Sequence, residues 1–332
     1  MNTMSAMNRQ KSQSHPKLRV GVVGVGYLGK FHAEKYAHMP DVDLVGVADA
    51  NREHANAIAQ QHGTRAFYSH KDLIGKVDAV SIAVPTEHHY AISRDFLEND
   101  VDLLIEKPIT TRLDQADDLL HLAERHGCII QVGHLERFNP AVVALEGVVR
   151  QPLFIESHRL SLFKERGLDV SVVLDLMIHD IDIILNFVKS KVSTIHAAGI
   201  PVITPNADIA NARLEFENGC IANVTASRIS MKNERKIRLF QKKAYISVNF
   251  ANREITIVRQ TGDPSQGVIP GTALDQRCFS QADALDDELK SFVKAVVHRQ
   301  VPEVTGQMGR DALKIALSIM DQIQQTSQRL VR

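Results

Sequence analysis

The sequence predicts an α/β domain built on a doubly wound parallel sheet, followed by an α+β domain with an open, mostly antiparallel sheet. Three observations carry that expectation. Leu18 to Val23 is a largely apolar, mostly β-branched run that leads into Gly24, Gly26 and Gly29, in the order G-x-G-x-x-G, and then into a helical pattern. Strand and helix signals alternate six times as far as Val132, the pattern of a parallel sheet covered on both faces. Beyond Pro152 the rhythm changes to short β-rich runs broken by turn signals such as Glu217-Asn218-Gly219.

Taken in order, residues 1–16 are polar and aperiodic and lack the apolar core of a signal peptide, so they read as a disordered tail. The first domain, 17–135, opens with the Leu18 strand and its helix. A second strand, Asp43 to Ala48, follows, and Asn51 caps a helix to about His62. A short strand at Arg65 to Tyr68 and a short helix from Ser69 precede the buried strand Val77 to Val84. Thr86 is placed to cap a helix through Leu97. The strand Val101 to Ile105, a helix from Thr111 to His126 and the strand Cys128 to Val132 complete the set. The second domain, 136–332, holds β-rich runs from Pro152 to Leu162 and from Ala207 to about Val258, with one long helix, Ser171 to Val188, between them. Thr261 to Gln276, punctuated by Gly and Pro, reads as an irregular loop. Helices at about Ala282 to His298 and Gly309 to Leu330 close the chain.

At 332 residues there is chain enough for a core in each domain. Lysine plus arginine equals aspartate plus glutamate at 39 each, so no general pull towards nucleic acid or a membrane surface is built in. No apolar run reaches the length of a membrane span. Cys128, Cys220 and Cys278 are scattered without metal-ligand spacing, and the first two lie beside apolar residues. That usage suits a reducing compartment and points to the cytoplasm.

The three glycines have separate duties. The first permits the tight turn, the second lets the backbone approach a pyrophosphate, and the third lets the helix pack on the strand. Tyr27 and Leu28 stand inside this turn, where free N–H groups and the positive end of the helix hold phosphates. A turn with spare glycines would look alike, but the second strand delivers Asp49 twenty residues after Gly29. A carboxylate there takes the adenosine ribose hydroxyls, so this is a Rossmann nucleotide site. Ala50 and Asn51 follow Asp49, in place of an arginine set to meet a 2′-phosphate, so NAD is expected over NADP, with Arg52 the nearby cation.

In an open parallel sheet, ligands bind beyond the carboxyl ends of the strands. Pro85 and Thr86 with His88 and His89 lie there, then Glu106, Lys107 and Pro108, then Gly133 and His134. Pro85, Thr86, His89 and Glu106 are expected against the cofactor. Lys107 would emerge towards the nicotinamide end, although spacing alone leaves a surface lysine equally open. On the long helix, Asp175, His179, Asp182 and Asn186 fall within about 60° of one another at 100° per residue. That stripe faces either solvent or the cleft between the domains. In a cleft, Asp175, one turn before His179, would orient the imidazole. Asp180 points elsewhere and reads as structural. Arg159, Lys164 and Arg166, ahead of this helix, suit a diphosphate, yet Glu165 and Asp169 nearly balance them, as in a solvated loop.

The glycine turn, Glu106-Lys107-Pro108 and the Asp175 and His179 pair together resemble the Gfo/Idh/MocA family of sugar and polyol oxidoreductases, over nearly the whole chain from Leu18. The resemblance implies that Lys107, Asp175 and His179 form the catalytic group. It also implies a second domain used for substrate binding and for homo-oligomer contacts, in a dimer or tetramer. Within the family, Gln131 to Ala141 (QVGHLERFNPA) and Arg159 to Asp182 are similar to enzymes that oxidise the 3-hydroxyl of UDP-N-acetylglucosamine. Such enzymes feed an aminotransferase on the way to a lipid A with amide-linked chains. That similarity implies a nucleotide-sugar substrate touching Lys107, Arg137, Asn139, Arg159, Arg166, Asp175 and His179, with Arg166 the main diphosphate contact. His179 would be the base, Lys107 would bond the same oxygen, and Asp175 would orient and balance the pair. An inositol or free-sugar dehydrogenase shares that group but needs no diphosphate site. A dinucleotide-sensing regulator shares the fold, and intact Lys107 and His179 speak against it.

Overall fold

The structure, a computed structural model, describes residues 16–163, 170–263, 265, 267, 269–280 and 282–330. All but one residue of the expected tail lies outside the described residues. The first sheet contains β1 (Leu18–Val23), β2 (Val42–Ala48), β3 (Arg65–Phe67), β4 (Ala79–Ile82), β5 (Asp102–Glu106) and β6 (Ile130–Gly133). They are parallel throughout, in the order β3-β2-β1-β4-β5-β6. The order reverses between β1 and β4, which opens a crevice at the carboxyl ends of the strands. Val20, Val22, Val80, Ile82 and Leu103 are fully buried, as strands covered on both faces require.

Two apolar clusters sandwich this sheet. α1 (Gly29–His38) and α2 (Arg52–His62) lie on one side, and α3 (His89–Leu97) and α4 (Leu113–His126) on the other. Asn51 caps α2 as expected, its side chain accepting from the N–H groups of Glu53 and His54. Thr86 does not cap α3. It opens a 3₁₀ turn, Thr86–His88, with no side-chain cap bond, and α3 starts behind it.

The second sheet orders its strands β14-β13-β12-β11-β7-β10-β9-β8. These are β7 (Pro152–Leu160), β8 (Val192–Ile200), β9 (Ile209–Phe216), β10 (Ile221–Ser227), β11 (Glu234–Gln241), β12 (Ala244–Asn249), β13 (Glu254–Gln260) and β14 (Thr272–Cys278). Only β7 and β10 run parallel. The expected loop after Thr261 therefore ends in an edge strand, β14. Its mostly exposed side chains give it no apolar alternation to read. The short α5 (Pro140–Val143), capped by Asn139, leads from the first sheet to the second.

The long helix differs from the expected single α-helix. Val173–Met177 is a π segment, continued by α6 (Ile178–Val188). A π turn holds more residues than an α turn, so it resets the angular positions of the residues along the helix, and such turns recur at functional sites. The helix and α8 (Gly306–Leu330) cover one face of the sheet, packing Val173, Met177, Ile178 and Ile184 with Ile155, Val224 and Ile237. Among the described residues no helix is long and apolar enough to cross a membrane.

Residues 136–332 do not all belong to the second layer. α7 (Ala284–His298) returns to the first sheet, where Leu289 and Phe292 pack with Val20, Val22, Tyr36 and Leu104. Val304 and Leu313 join the cluster on its opposite face. The nucleotide-binding layer thus takes a covering helix from the far end of the chain. Phe292→Ala should therefore cost about 3–5 kcal/mol in urea unfolding, the range for deleting a buried aromatic side chain. An unchanged midpoint would show that α7 is no part of this core.

Candidate active site

A cleft of about 970 Å³ lies between the carboxyl ends of the first sheet and the second domain. Gly24, Gly26, Tyr27, Leu28, Asp49, Pro85, Glu106, Lys107, Asp175 and His179 all line it. At Gly24 φ is +83°, and an added Cβ would meet the Val84 side chain at 2.7 Å. A Cβ on Gly29 would overlap the Gly24 carbonyl, whereas at Gly26 nothing lies within 4 Å. The first and third glycines close the turn, and the second leaves room over the backbone. The Asp49 carboxylate is held from within, accepting from Val25 N–H and Asn51 N–H, each at 2.8 Å. Each oxygen keeps a lone pair for a ribose hydroxyl. These residues fit NAD: open backbone for the pyrophosphate and a fixed acceptor for the ribose.

Two expected cofactor residues sit differently. Thr86 is half-buried beside the cleft without lining it. His89 is buried, with Nδ1 2.9 Å from the Pro108 carbonyl and Nε2 2.9 Å from that of Val84. It ties the β4 and β5 loops together from behind, and burial lowers its basicity. The exposed His88 lines the cleft in its place. Arg52 stacks over the Tyr68 ring at 4.5 Å, next to Asp49 on the cleft rim.

At the other end, β5 delivers Glu106 and Lys107, and the Lys107–Pro108 peptide is cis. Glu106 Oε1 lies 3.1 Å from His32 Nε2. Burial would raise the Glu106 carboxyl, but His32 and then Lys107 outweigh it and hold it below the usual range. Lys107 Nζ donates to the Asp175 carbonyl oxygen at 2.7 Å and lies 3.8 Å from its carboxylate. His179 faces the same cleft with Nδ1 lacking a hydrogen-bond partner among the described residues. The expected pairing of Asp175 with this imidazole is thus replaced by pairing with Lys107, because the π segment turns Asp175 towards β5. Burial, and then the Lys107 and Arg159 cations, push His179 well below the ordinary histidine value. The ring is neutral at pH 7 and free to take a proton.

The rest of the polar stripe leaves the cleft. Asp182 and Asn186 line a second cavity of about 440 Å³ with Arg137. Arg137 is buried there, with Nε 3.4 Å from Asp182 and Nη2 3.3 Å from the Met308 sulfur, so it does not face the cofactor cleft as expected. One and two turns beyond His179, the helix axis has carried the stripe past the cleft edge. Asn139 is also remote, since it caps α5 and donates to the Phe250 carbonyl. Arg159 does reach the cleft wall, but all three of its nitrogens are already engaged by carboxylates. Nε and Nη2 meet Asp180 at 2.6 and 3.2 Å, and Nη1 meets Glu136 at 3.0 Å. A buried guanidinium requires such partners. Arg166, Lys164, Glu165 and Asp169 lie outside the described residues. Sequence reading missed Glu136, Arg235 and Glu288, which line the cleft from elements far apart in the chain.

A dinucleotide cradle that opens onto a fixed lysine and a neutral histidine defines an NAD-dependent oxidoreductase acting on a carbon–hydroxyl group. Residues 18–134 match an oxidoreductase family with an NAD-binding Rossmann fold, and residues 141–247 match the GFO/IDH/MocA C-terminal domain. The chain belongs to the Gfo/Idh/MocA oxidoreductase family. It is 36% identical to the UDP-N-acetylglucosamine 3-dehydrogenase of Acidithiobacillus ferrooxidans, over 94% of this chain and 99% of that one. A solved structure of that enzyme matches with a TM-score of 0.87 at 35% identity, covering 93% of this chain and 98% of the other. The scyllo-inositol 2-dehydrogenase (NAD(+)) of Bacillus subtilis is 26% identical over 87% of this chain and 89% of its own. Levoglucosan dehydrogenase in complex with NADH shares the fold, with a TM-score of 0.82 at 19% identity over 93% and 97% of the two chains.

Asp49→Ala should weaken NAD by about 1.5–3 kcal/mol, the range for a hydrogen bond to a charged group, and should weaken NADP less. The carboxylate bonds the ribose diol and repels a 2′-phosphate. Calorimetric titration of both cofactors is the check, and native protein that binds the two equally well contradicts this role for Asp49.

Proposed function

We propose that the protein oxidises the 3-hydroxyl of UDP-N-acetylglucosamine to the 3-keto sugar, with NAD as the acceptor. One observation carries the reading. A cleft holding Lys107, Asp175 and His179 occurs in a chain similar over nearly its full length to an enzyme named for that reaction.

NAD supplies the acceptor for the hydride that leaves the alcohol carbon. The chain supplies the rest. His179, neutral because of burial and the adjacent cations, takes the hydroxyl proton. Lys107, held on the Asp175 carbonyl, donates to the same oxygen and stabilises the developing alkoxide. The Asp175 carboxylate balances the lysine charge. Arg235, with about half of its side chain exposed at the cleft, and Arg166 are the proposed diphosphate contacts. Arg159 acts through Glu136, which it shares with Arg235. The uncovered face of the eight-stranded sheet suits a homo-oligomer contact. A 3-keto nucleotide sugar suits a following aminotransferase, and the reading puts the reaction in the cytoplasm, ahead of a lipid A with amide-linked chains.

UDP-N-acetylglucosamine and myo-inositol, offered side by side with NAD, separate this reading from the polyol one. Reduced cofactor should form with the first, and UDP should compete with the sugar and not with NAD. Efficient turnover of myo-inositol without inhibition by UDP would sink the nucleotide-sugar reading. His179→Gln should lower turnover by roughly 10² to 10⁴ and leave NAD affinity unchanged. The acid limb of kcat/KM should lie below about pH 6.5, because the rate falls only as pH drops through a depressed histidine value. A limb above that pH would mean that another group is the base.

A further inference from the structure

α7 forms part of the cleft wall through Leu285 and Glu288, and the second is an ionisable group that the reaction does not use. Glu288 is fully buried, and neither of its carboxyl oxygens has a hydrogen-bond partner among the described residues. Its backbone carbonyl accepts from Gln131 Nε2 at 3.0 Å, which pins the helix to β6. Its side chain lines the same cleft as Glu106, Lys107 and Gly133. An unpaired carboxylate in such a place costs several kcal/mol, so the group keeps its proton instead. Burial, and after it the charge of Glu106, favour the protonated form. The titratable groups facing it are Glu106 from β5, already bonded to His32 of α1, and Tyr36 of α1, bonded to Ser81 at 2.8 Å. Lys107 and His179 line the same cleft.

The oxidised nicotinamide ring carries a positive charge, and the reduced ring carries none. The ring must lie where Lys107 and His179 hold the alcohol, because hydride transfer needs the two carbons about 3–3.5 Å apart. That is also the end of the cleft where Glu106 and Glu288 lie. In a wall of low dielectric, a unit charge acts strongly across several ångströms without contact. We propose that Glu288 tunes the cofactor site by charge. It releases its proton when the oxidised dinucleotide binds and regains one when the ring is reduced, so the site prefers NAD⁺ over NADH more strongly as pH rises. Only the carboxyl O–H bond breaks, and its proton passes to bulk buffer; no carbon bond or redox step is involved. The inference rests on NAD binding in this cleft and is independent of which sugar is oxidised.

The sign follows from linkage. A cation beside the carboxyl makes the NAD⁺ complex hold fewer protons than the free protein, so NAD⁺ affinity rises with pH while NADH affinity does not. Contacts common to both cofactors cancel in the ratio of their dissociation constants. Contributions from Lys107 and His179 persist in a Glu288 variant, so the difference between proteins isolates Glu288. The experiment titrates NAD⁺ and NADH, without sugar, into native protein and Glu288→Gln over about pH 6 to 9, where buried glutamates titrate. In native protein the ratio of the NADH to the NAD⁺ constant should climb, approaching about tenfold per pH unit where a full proton is linked. Calorimetry in two buffers of different ionisation enthalpy should show more protons released with NAD⁺ than with NADH. Glu288→Gln, which keeps the shape but cannot ionise, should flatten that climb and remove the extra protons. Equal slopes, or equal proton counts, in the two proteins overturn the proposal. If the variant does not fold, the native protein decides alone, since equal proton release with NAD⁺ and NADH also overturns it.

Discussion

The site depends on one bond between its two halves. Lys107 leaves the end of β5 in the nucleotide-binding layer and donates to the Asp175 carbonyl in the π segment of the second layer, at 2.7 Å. That bond points the ammonium along the cleft, beside the half-buried His179 ring. An undisturbed α-helix would keep Asp175 one turn above His179, with the carboxylate available to the imidazole. The wider turn brings Asp175 to the lysine and leaves His179 Nδ1 without a hydrogen-bond partner among the described residues. A histidine so placed is a weak but unprotonated base, and a lysine so placed is a fixed donor.

Charge is distributed around that bond with little waste. His32 holds Glu106 ionised, Asp180 and Glu136 neutralise the buried Arg159, and Asp182 meets Arg137 further along the helix. Breaking any one of these leaves an uncompensated charge in a poorly hydrated place, which costs more than the pair contributes. The neutral His179 is the complement of this arrangement. It is surrounded by cations that find their own counter-ions, and so it is spared the need to carry charge. Glu288 stands apart as a carboxyl whose oxygens have no hydrogen-bond partner among the described residues.

What could be read from the sequence follows the range of each signal. The glycine turn and Asp49 are local: one strand, one turn and the next strand end contain the whole cradle, and the order of residues states it. For Lys107 and His179 a strand end and a helical period leave solvent and cleft both open, and it is the family resemblance that assigns them to the site. The stripe failed at Asp182 and Asn186, because angular position around a helix says nothing about distance along it, and the cleft ends within a turn. Arg137, Asn139 and Arg159 are expected at the substrate from the resemblance, Arg159 also as a cation ahead of the long helix. Burial then set their roles, since inside the protein they had to satisfy backbone groups and each other's charges. α7 is legible as a helix at about Ala282 to His298, but its docking and the position of Glu288 in the cleft leave no trace. Their place on the first sheet is a long-range contact, and an amphipathic helix at the end of a chain does not say which sheet it covers.

The central claim is that Lys107 and His179 act on one oxygen of the substrate. A double-mutant cycle on turnover, using Lys107→Ala, His179→Gln and the two together with UDP-N-acetylglucosamine and NAD, tests it most directly. Groups that serve one transition-state oxygen lose much of their worth when the other is already gone, so the combined loss should fall well short of the sum of the single losses in free energy. Strictly additive losses, with all three variants folded and binding NAD normally, would mean that the two residues work on separate steps or separate atoms.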